Sequence, residues 1–453
     1  MTLLDIIALL LGLSAVFGYI NHQYLKLPHT IGLMVIALVA SGGVVVIDIL
    51  RPDFGLGDTA RNTLTRIDFH QALMEGFLSA LLFAGAVHVD LEQIARRRWA
   101  IALMATLGVI VSTFVVGTVM WGLSKLLGIN LPFIWALVFG SLISPTDPVA
   151  VLAILKRVRV PPLLEAKIAG ESLFNDGVGV VVFTIMVALA VGSGAHGADG
   201  GIGVGDVVVL FLAEAVGGAV LGLVFGVVAF LMLRALDEHV LEVMITLALV
   251  AGVYSIALHL HVSGPIAVVV AGLLIGNQGA RLAMSDRTRE HVFNFWELTD
   301  EILNSVLFLL IGLEVLVIGV TTQSAVLAVL AIPLTLLARL IAVSLPIKLL
   351  SFRETFTEGA IQMLTWGGLR GGISVALALS LPNNEYKGPI LAATYAVVVF
   401  SIIVQGLTME RLARRVVGDY EPETAGQPEP KDTIDASVSP VGPEPGGDET
   451  PSG

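Results

Sequence analysis

The chain has 453 residues, 56% hydrophobic and 14% charged, with a mean hydropathy of +0.89 and a formal charge of −12. Soluble domains carry about 25% charged residues, so this composition excludes an ordinary globular protein and indicates one that resides in a bilayer. The absence of cysteine also excludes a disulfide framework, a thiolate metal site and a cysteine nucleophile.

Apolar runs of about 17–25 residues, the length of a bilayer-crossing helix, recur along nearly the whole chain. The first, Thr2 to Ile20, opens with Asp5 where a secretory leader carries basic residues, and reads as a retained helix. In order, the runs and their charged or Pro/Gly-rich breaks predict thirteen spans. They lie at about 3–20, 31–50, 72–90, 99–124, 133–155, 168–192, 205–233, 240–260, 262–277, 300–320, 324–350, 359–381 and 389–412. The tightest break is at His259–Ser263.

Alternate connections differ sharply in charge. One set holds Lys26, Arg96, Arg97, Arg98, Lys156, Arg157, Arg159, Lys167, Arg234, Arg281, Arg287, Arg289, Lys348, Arg353, Arg411, Arg414 and Arg415. The other holds only Arg51, Arg61, Arg66, Lys125 and Lys387. The positive-inside rule then puts the N-terminus outside and the C-terminus in the cytoplasm. Thirteen divides into six, one and six, which makes the expected fold an all-α polytopic membrane protein of two inverted six-helix repeats. The tail from residue 418 to 453 carries Asp419, Glu421, Glu423, Glu429, Asp432, Asp435, Glu444, Asp448 and Glu449 against Lys431 alone. Rich in Pro, Gly, Ser and Thr, it is expected to be a disordered acidic cytoplasmic extension.

The fifth span of each half is interrupted. In 144-SPTDPVAVL-152, Pro145 and Pro148 flank Thr146 and Asp147, and each proline removes a backbone donor and disfavours helix before it. The chain should unwind at Thr146–Asp147 and free carbonyl oxygens beside a carboxylate. Such hard oxygen ligands suit a small monovalent cation; the plainer reading is a proline kink. In 366-WGGLRGGISVAL-377, Gly367, Gly368, Gly371 and Gly372 surround Arg370, whose guanidinium forks onto carboxylates. Its partner by this reading is Glu171, Asp176 or Asp147. Paired interrupted helices at matching positions of two halves point to a transport site near the midplane.

Between them lies 170-GESLFNDGVGVVVF-183. Ser172 and Asp176, like Glu171 and Asn175, are four residues apart, so the pairs form adjacent stripes on one helical face. A carboxylate at mid-membrane costs about 2.5–3.5 kcal/mol on insertion scales, which marks the stripe as functional unless it is a water-facing helix mouth. One site that binds either a proton or a cation at Asp176 would couple the two flows. Rival readings are a cation channel, since carboxylates also line pores, and an intramembrane aspartyl protease built on Asp147 and Asp176. Phe174 stands where a nucleophile elbow at Ser172 requires glycine.

TDPVAVL, GESLFND and GGLRGG in that order, with 261-HVSGPIAVVVAGLLIGN-277 and 295-FWELTDEILNSVLFLLIGLEV-315, resemble the cation:proton antiporter superfamily, specifically its NhaP and NHE type sodium/proton exchangers. The likeness covers most of residues 1–415. It implies a membrane domain over 1–417, with core helices at about 99–192 and 324–412, 300–320 at the boundary, and a dimerisation part at about 1–90 and 205–277. It implies that Asp176 binds Na⁺, with Li⁺ or K⁺ as alternatives, helped by Asp147, Ser172 and Thr146, and that Glu171 pairs with Arg370. Asn175 would be the neutral member of an Asn-Asp pair, as in electroneutral exchangers. It further implies a homodimer in the cell membrane, with no resident cofactor and no nucleic-acid partner. In 81-LLFAGAVHVD-90, Ala84 stands where many relatives have a carboxylate, and His88 is either a substitute titrating group or a packed histidine.

Overall fold

The computed structural model describes residues 3–51, 77–92, 98–148, 151–152, 155, 162–195, 204–316, 321–350 and 359–417. The acidic tail at 418–453, the start of the third expected span at 72–76 and the basic connection at 156–159 lie outside the described residues. Apolar sequence of this kind has no water to satisfy its backbone, so it closes its own hydrogen bonds as helix.

The helices follow in chain order. They are α1 (Leu3–Ile20), α2 (His29–Leu50), α3 (Leu78–Val87), α4 (Arg98–Leu126) and α5 (Phe133–Ile143). Next come α6 (Pro162–Ala195), α7 (Val204–Arg234), α8 (His239–Leu260), α9 (Gly264–Leu274) and α10 (Asp286–Glu314). Last are α11 (Thr322–Leu350), α12 (Ala360–Trp366), α13 (Gly372–Leu379), α14 (Lys387–Phe400) and α15 (Gly406–Val417). A wide π turn, Ser401–Gln405, joins α14 to α15. The tight break is real: His261 takes a left-handed φ of 54° after α8, and Ser263 Oγ caps α9 by accepting from Ile266 N.

The protein is an all-helical, multi-pass membrane protein. Among the described residues, nine helical stretches are long and apolar enough to cross a bilayer. Of the four expected spans missing from those nine, the third lies partly outside the described residues and the other three have physical reasons. α5 and the pair α12–α13 are half-helices cut short by their breaks. α10 begins at Asp286, well before the expected start near 300, because its first half is amphipathic. There Thr288, Val292 and Trp296 are buried one turn apart, while charged neighbours face outward.

Small residues let the site-bearing helices come close. At the α4–α5 crossing, a Cβ on Gly117 would fall 2.7 Å from Leu137 Cδ2, and Gly140 lies on the Thr113 carbonyl. α6 packs on both α4 and α5, and α11 packs on α4 and α14. The breaks sit between two apolar clusters. One includes Phe139, Phe183, Phe308, Val375 and Val398, and the other Val151, Val343, Met363, Leu369 and Met409. A third cluster, around Phe83, Val253, Val268 and Trp296, gathers α3, α8, α9 and the first half of α10.

Candidate functional site

The two broken segments meet. Asp147 N–H donates to the Leu369 carbonyl at 2.8 Å, a single antiparallel bridge between the proline break and the glycine break. No Cβ fits at Gly371: it would come within 2.6 Å of Asp147 Cγ, so the aspartate side chain rests on the glycine backbone. Gly179 of α6 gives the same close approach to Pro145, whose Cδ a Cβ there would meet at 3.1 Å.

Breaking a helix at membrane depth leaves carbonyls that protein must satisfy. Arg370 Nη1 donates to Ser144 O at 2.7 Å and to Pro145 O at 2.9 Å. Its own N–H donates to Ser401 Oγ at 2.8 Å. At the end of α12, Gln405 Nε2 donates to Trp366 O at 2.9 Å, and Arg339 Nε to Leu364 O at 3.2 Å. The π turn after α14 thus presents Ser401 and Gln405 to the glycine break.

α6 brings its polar stripe against this crossing. Thr146 N–H donates to Asn175 Oδ1 at 3.2 Å, while Asn175 Nδ2 donates to Thr146 Oγ1 at 2.8 Å. Thr146 Oγ1 and Ser172 Oγ share a bond of 3.0 Å. Asn175 therefore serves as donor and acceptor at once, which a carboxylate cannot do. Asp176 is 6% exposed and within electrostatic reach of Asp147 and Arg370; among the described residues no donor bonds its carboxylate. Asp147 is half-buried.

The expected pairing of Glu171 with Arg370 is corrected. Glu171, 1% exposed, takes both terminal nitrogens of Arg339 on α11, with Nη2 to Oε2 at 3.0 Å and Nη1 on Oε1. Arg370 is committed to the proline-break carbonyls instead. A fully buried carboxylate needs a forked cation, and α11 supplies one that the broken segment cannot spare. Arg339, Ser401 and Gln405 escaped the reading of the motifs. Arg339 carried a signal, a lone guanidinium in the apolar run 332-IPLTLLARLIAVSLP-346. Ser401 and Gln405 carried none.

The structure brings together Asp147, Thr146, Ser172, Asn175, Asp176 and Arg370, with Glu171 one helix face away on Arg339. It does not bring in His88, which bonds the Ala84 carbonyl through Nδ1 at 2.7 Å and meets Phe293 edge-on at 5.3 Å. Ala84 itself is buried in the packing of α3. No group of three or more His, Asp or Glu side chains suited to a metal ion occurs among the described residues. The oxygens gathered at the crossing are two carboxylates, two hydroxyls and freed carbonyls.

The chain as a whole is similar to known proteins. Residues 12–415 match the family described as "Sodium/hydrogen exchanger, transmembrane". The chain is 45% identical over 432 residues to the Na(+)/H(+) antiporter NhaP of Pseudomonas aeruginosa, covering 94% of this chain and 98% of that one. It is 36% identical to the Na(+)/H(+) antiporter NhaH of Halobacillus dabanensis, over 87% of this chain and 93% of that one. In fold it is similar to the sodium proton antiporter MjNhaP1 from Methanocaldococcus jannaschii at pH 8, with a TM-score of 0.69 and 20% identity over 92% of this chain and 98% of that one.

Proposed function

This chain belongs to the sodium/hydrogen exchanger family, and from that premise we propose that it exchanges Na⁺ for H⁺ across the membrane by competition at Asp176. It is a transporter, not an enzyme. The observation that carries the reading is a buried carboxylate with no bonded donor among the described residues, set in a counted charge cluster. Asp147, Glu171 and Asp176 face Arg339 and Arg370. Among the described residues and fully ionised, three acids against two cations leave one negative charge, and one proton or one monovalent cation neutralises it. Both cannot be held together without a new net charge in a low dielectric, so each displaces the other.

Thr146, Ser172 and Asp147 supply hard oxygens around Asp176, which suits Na⁺ as the transported ion. Asn175 adds no charge, so the exchange is one for one and electroneutral. Glu171 and Arg339 hold the core helices together. The core, at about 99–192 and 324–412, moves against a dimerisation part at about 1–90 and 205–277 and carries the loaded site from one face to the other. The finer architecture belongs to the same reading: thirteen crossings in two inverted six-helix repeats, N-terminus outside and C-terminus in the cytoplasm, as a homodimer in the cell membrane. The alternation of basic residues between connections supports it.

Proteoliposomes test this directly. Na⁺ added to one side should drive protons out with no net current, and exchange should vanish in Asp176→Ala while persisting in Glu314→Ala. The Na⁺ concentration for half-maximal exchange should rise about tenfold per unit fall in pH once protons dominate the site. A current that tracks transport at fixed gradients would overturn the stoichiometry, and loss of exchange in both variants would overturn the site.

A further inference from the structure

A cavity of about 500 Å³ lies between α11, α12 and α15, and none of the residues assigned to ion binding lines it. Its floor is Trp366, the last residue of α12 before the glycine break, and Thr365. Its apolar walls are Leu340 and Leu412, and its rim is Arg411 and Arg415. Among the described residues no acidic one lines it. Arg411 and Arg415 make no ion pair among the described residues, whereas Arg414 between them is bonded to Glu410 at 3.0 Å. The Thr365 hydroxyl is buried without a hydrogen-bond partner among the described residues. The Trp366 indole is already used, donating to Thr408 Oγ1 at 3.0 Å.

The position of the cavity says what fills it. Arg411 and Arg415 belong to the last six residues of the spanning stretch Lys387–Val416, so they stand at the boundary between hydrocarbon and water. Leu340 is exposed and belongs to an outward stripe on α11 with Leu337, Ile341 and Leu345. The cavity therefore opens onto the surface that acyl chains cover, with two free cations at headgroup level.

We propose that this cavity binds the headgroup of an anionic phospholipid. Its phosphate lies between Arg411 and Arg415, one of its glycerol or ester oxygens accepts from Thr365 Oγ1, and an acyl chain runs along Leu340 and Ile341. A zwitterionic lipid brings its own cation to the same two arginines and is disfavoured. A soluble phosphate has no chain for the apolar wall.

The test is lipid retention by the purified full chain, read by native mass spectrometry after equilibration with phosphatidylglycerol, phosphatidylcholine or inorganic phosphate. Phosphatidylglycerol should be retained and the other two not. Loss of each arginine should weaken retention about fivefold, and R411Q/R415Q about 30-fold. R414Q, equal in charge change but already paired, should leave retention unchanged, and Thr365→Val should weaken it while keeping every charge. Undiminished phosphatidylglycerol in R411Q/R415Q, or equal loss in R414Q, would overturn the site. Equal retention of phosphatidylcholine would overturn the anionic headgroup, and retention of phosphate alone would overturn the lipid. If R411Q/R415Q does not fold, the single variants and Thr365→Val decide, and no change in any of them refutes the proposal.

Discussion

The two breaks solve one backbone problem with opposite chemistry. The break after α5 is made by prolines, which remove donors and leave the Ser144 and Pro145 carbonyls uncovered. The break between α12 and α13 is made by glycines, which remove bulk, and the residue they surround is a cation. One break creates acceptors and the other brings the donor, so neither is tolerable alone at membrane depth. Their residue types also divide the labour at the crossing. The proline break carries the Asp147 carboxylate, and the glycine break carries the guanidinium that occupies the Ser144 and Pro145 carbonyls.

Removing the donor should have the largest effect. Arg370→Ala strands two carbonyls and unbalances three acids, and should cost about 3–5 kcal/mol of stability, read as a lower melting temperature in detergent together with loss of exchange. Arg370→Lys should recover only part, because an ammonium on a shorter, more flexible stem is more strongly hydrated and less well placed over both carbonyls. Full recovery with lysine would mean that charge alone, not geometry, joins the breaks. Next, Glu171→Ala should cost about 3 kcal/mol by leaving Arg339 buried and unpaired. If the Glu171–Arg339 pair is independent of the crossing, that loss should add to the loss in Arg370→Lys; a coupling well above zero in the double variant would join all four helices into one network.

A methyl group tests how close the breaks must lie. Gly371→Ala drives a Cβ into Asp147 and should cost about 1–3 kcal/mol, with Na⁺ affinity falling more than stability. A variant with unchanged affinity would show that Asp147 need not rest on the glycine break. The smallest effect belongs to the support. Ser401→Ala removes one neutral hydrogen bond to Arg370 N–H, worth about 1 kcal/mol, and should slow exchange without abolishing it.

Much of this was legible along the chain because its signals are local. Prolines that bracket a Thr-Asp pair, glycine pairs around an arginine, and a four-residue polar period each state their purpose within a single turn. The partner of Glu171 was not, because pairing is settled by which helix lies across the core. Arg339 is 168 residues away, and its sequence neighbourhood differs from any lipid-facing helix only by the charge itself. The α10 boundary was misplaced for a related reason. Its amphipathic first half looks like a polar connection to any measure of mean hydropathy, although Thr288, Val292 and Trp296 align one turn apart. The π turn left no trace, since nothing in SIIVQ distinguishes a wide turn from an ordinary one.

The distance between the breaks along the chain has a consequence for biosynthesis. The cation that covers Pro145 O stands 225 residues downstream of it. At about 5–20 residues per second of translation, the gap between making the acceptors and making their donor is roughly 11–45 s. During that interval the nascent first half holds bare carbonyls and unneutralised acids in or beside the translocon. A chain truncated before Arg370 would therefore keep both carbonyls without this donor.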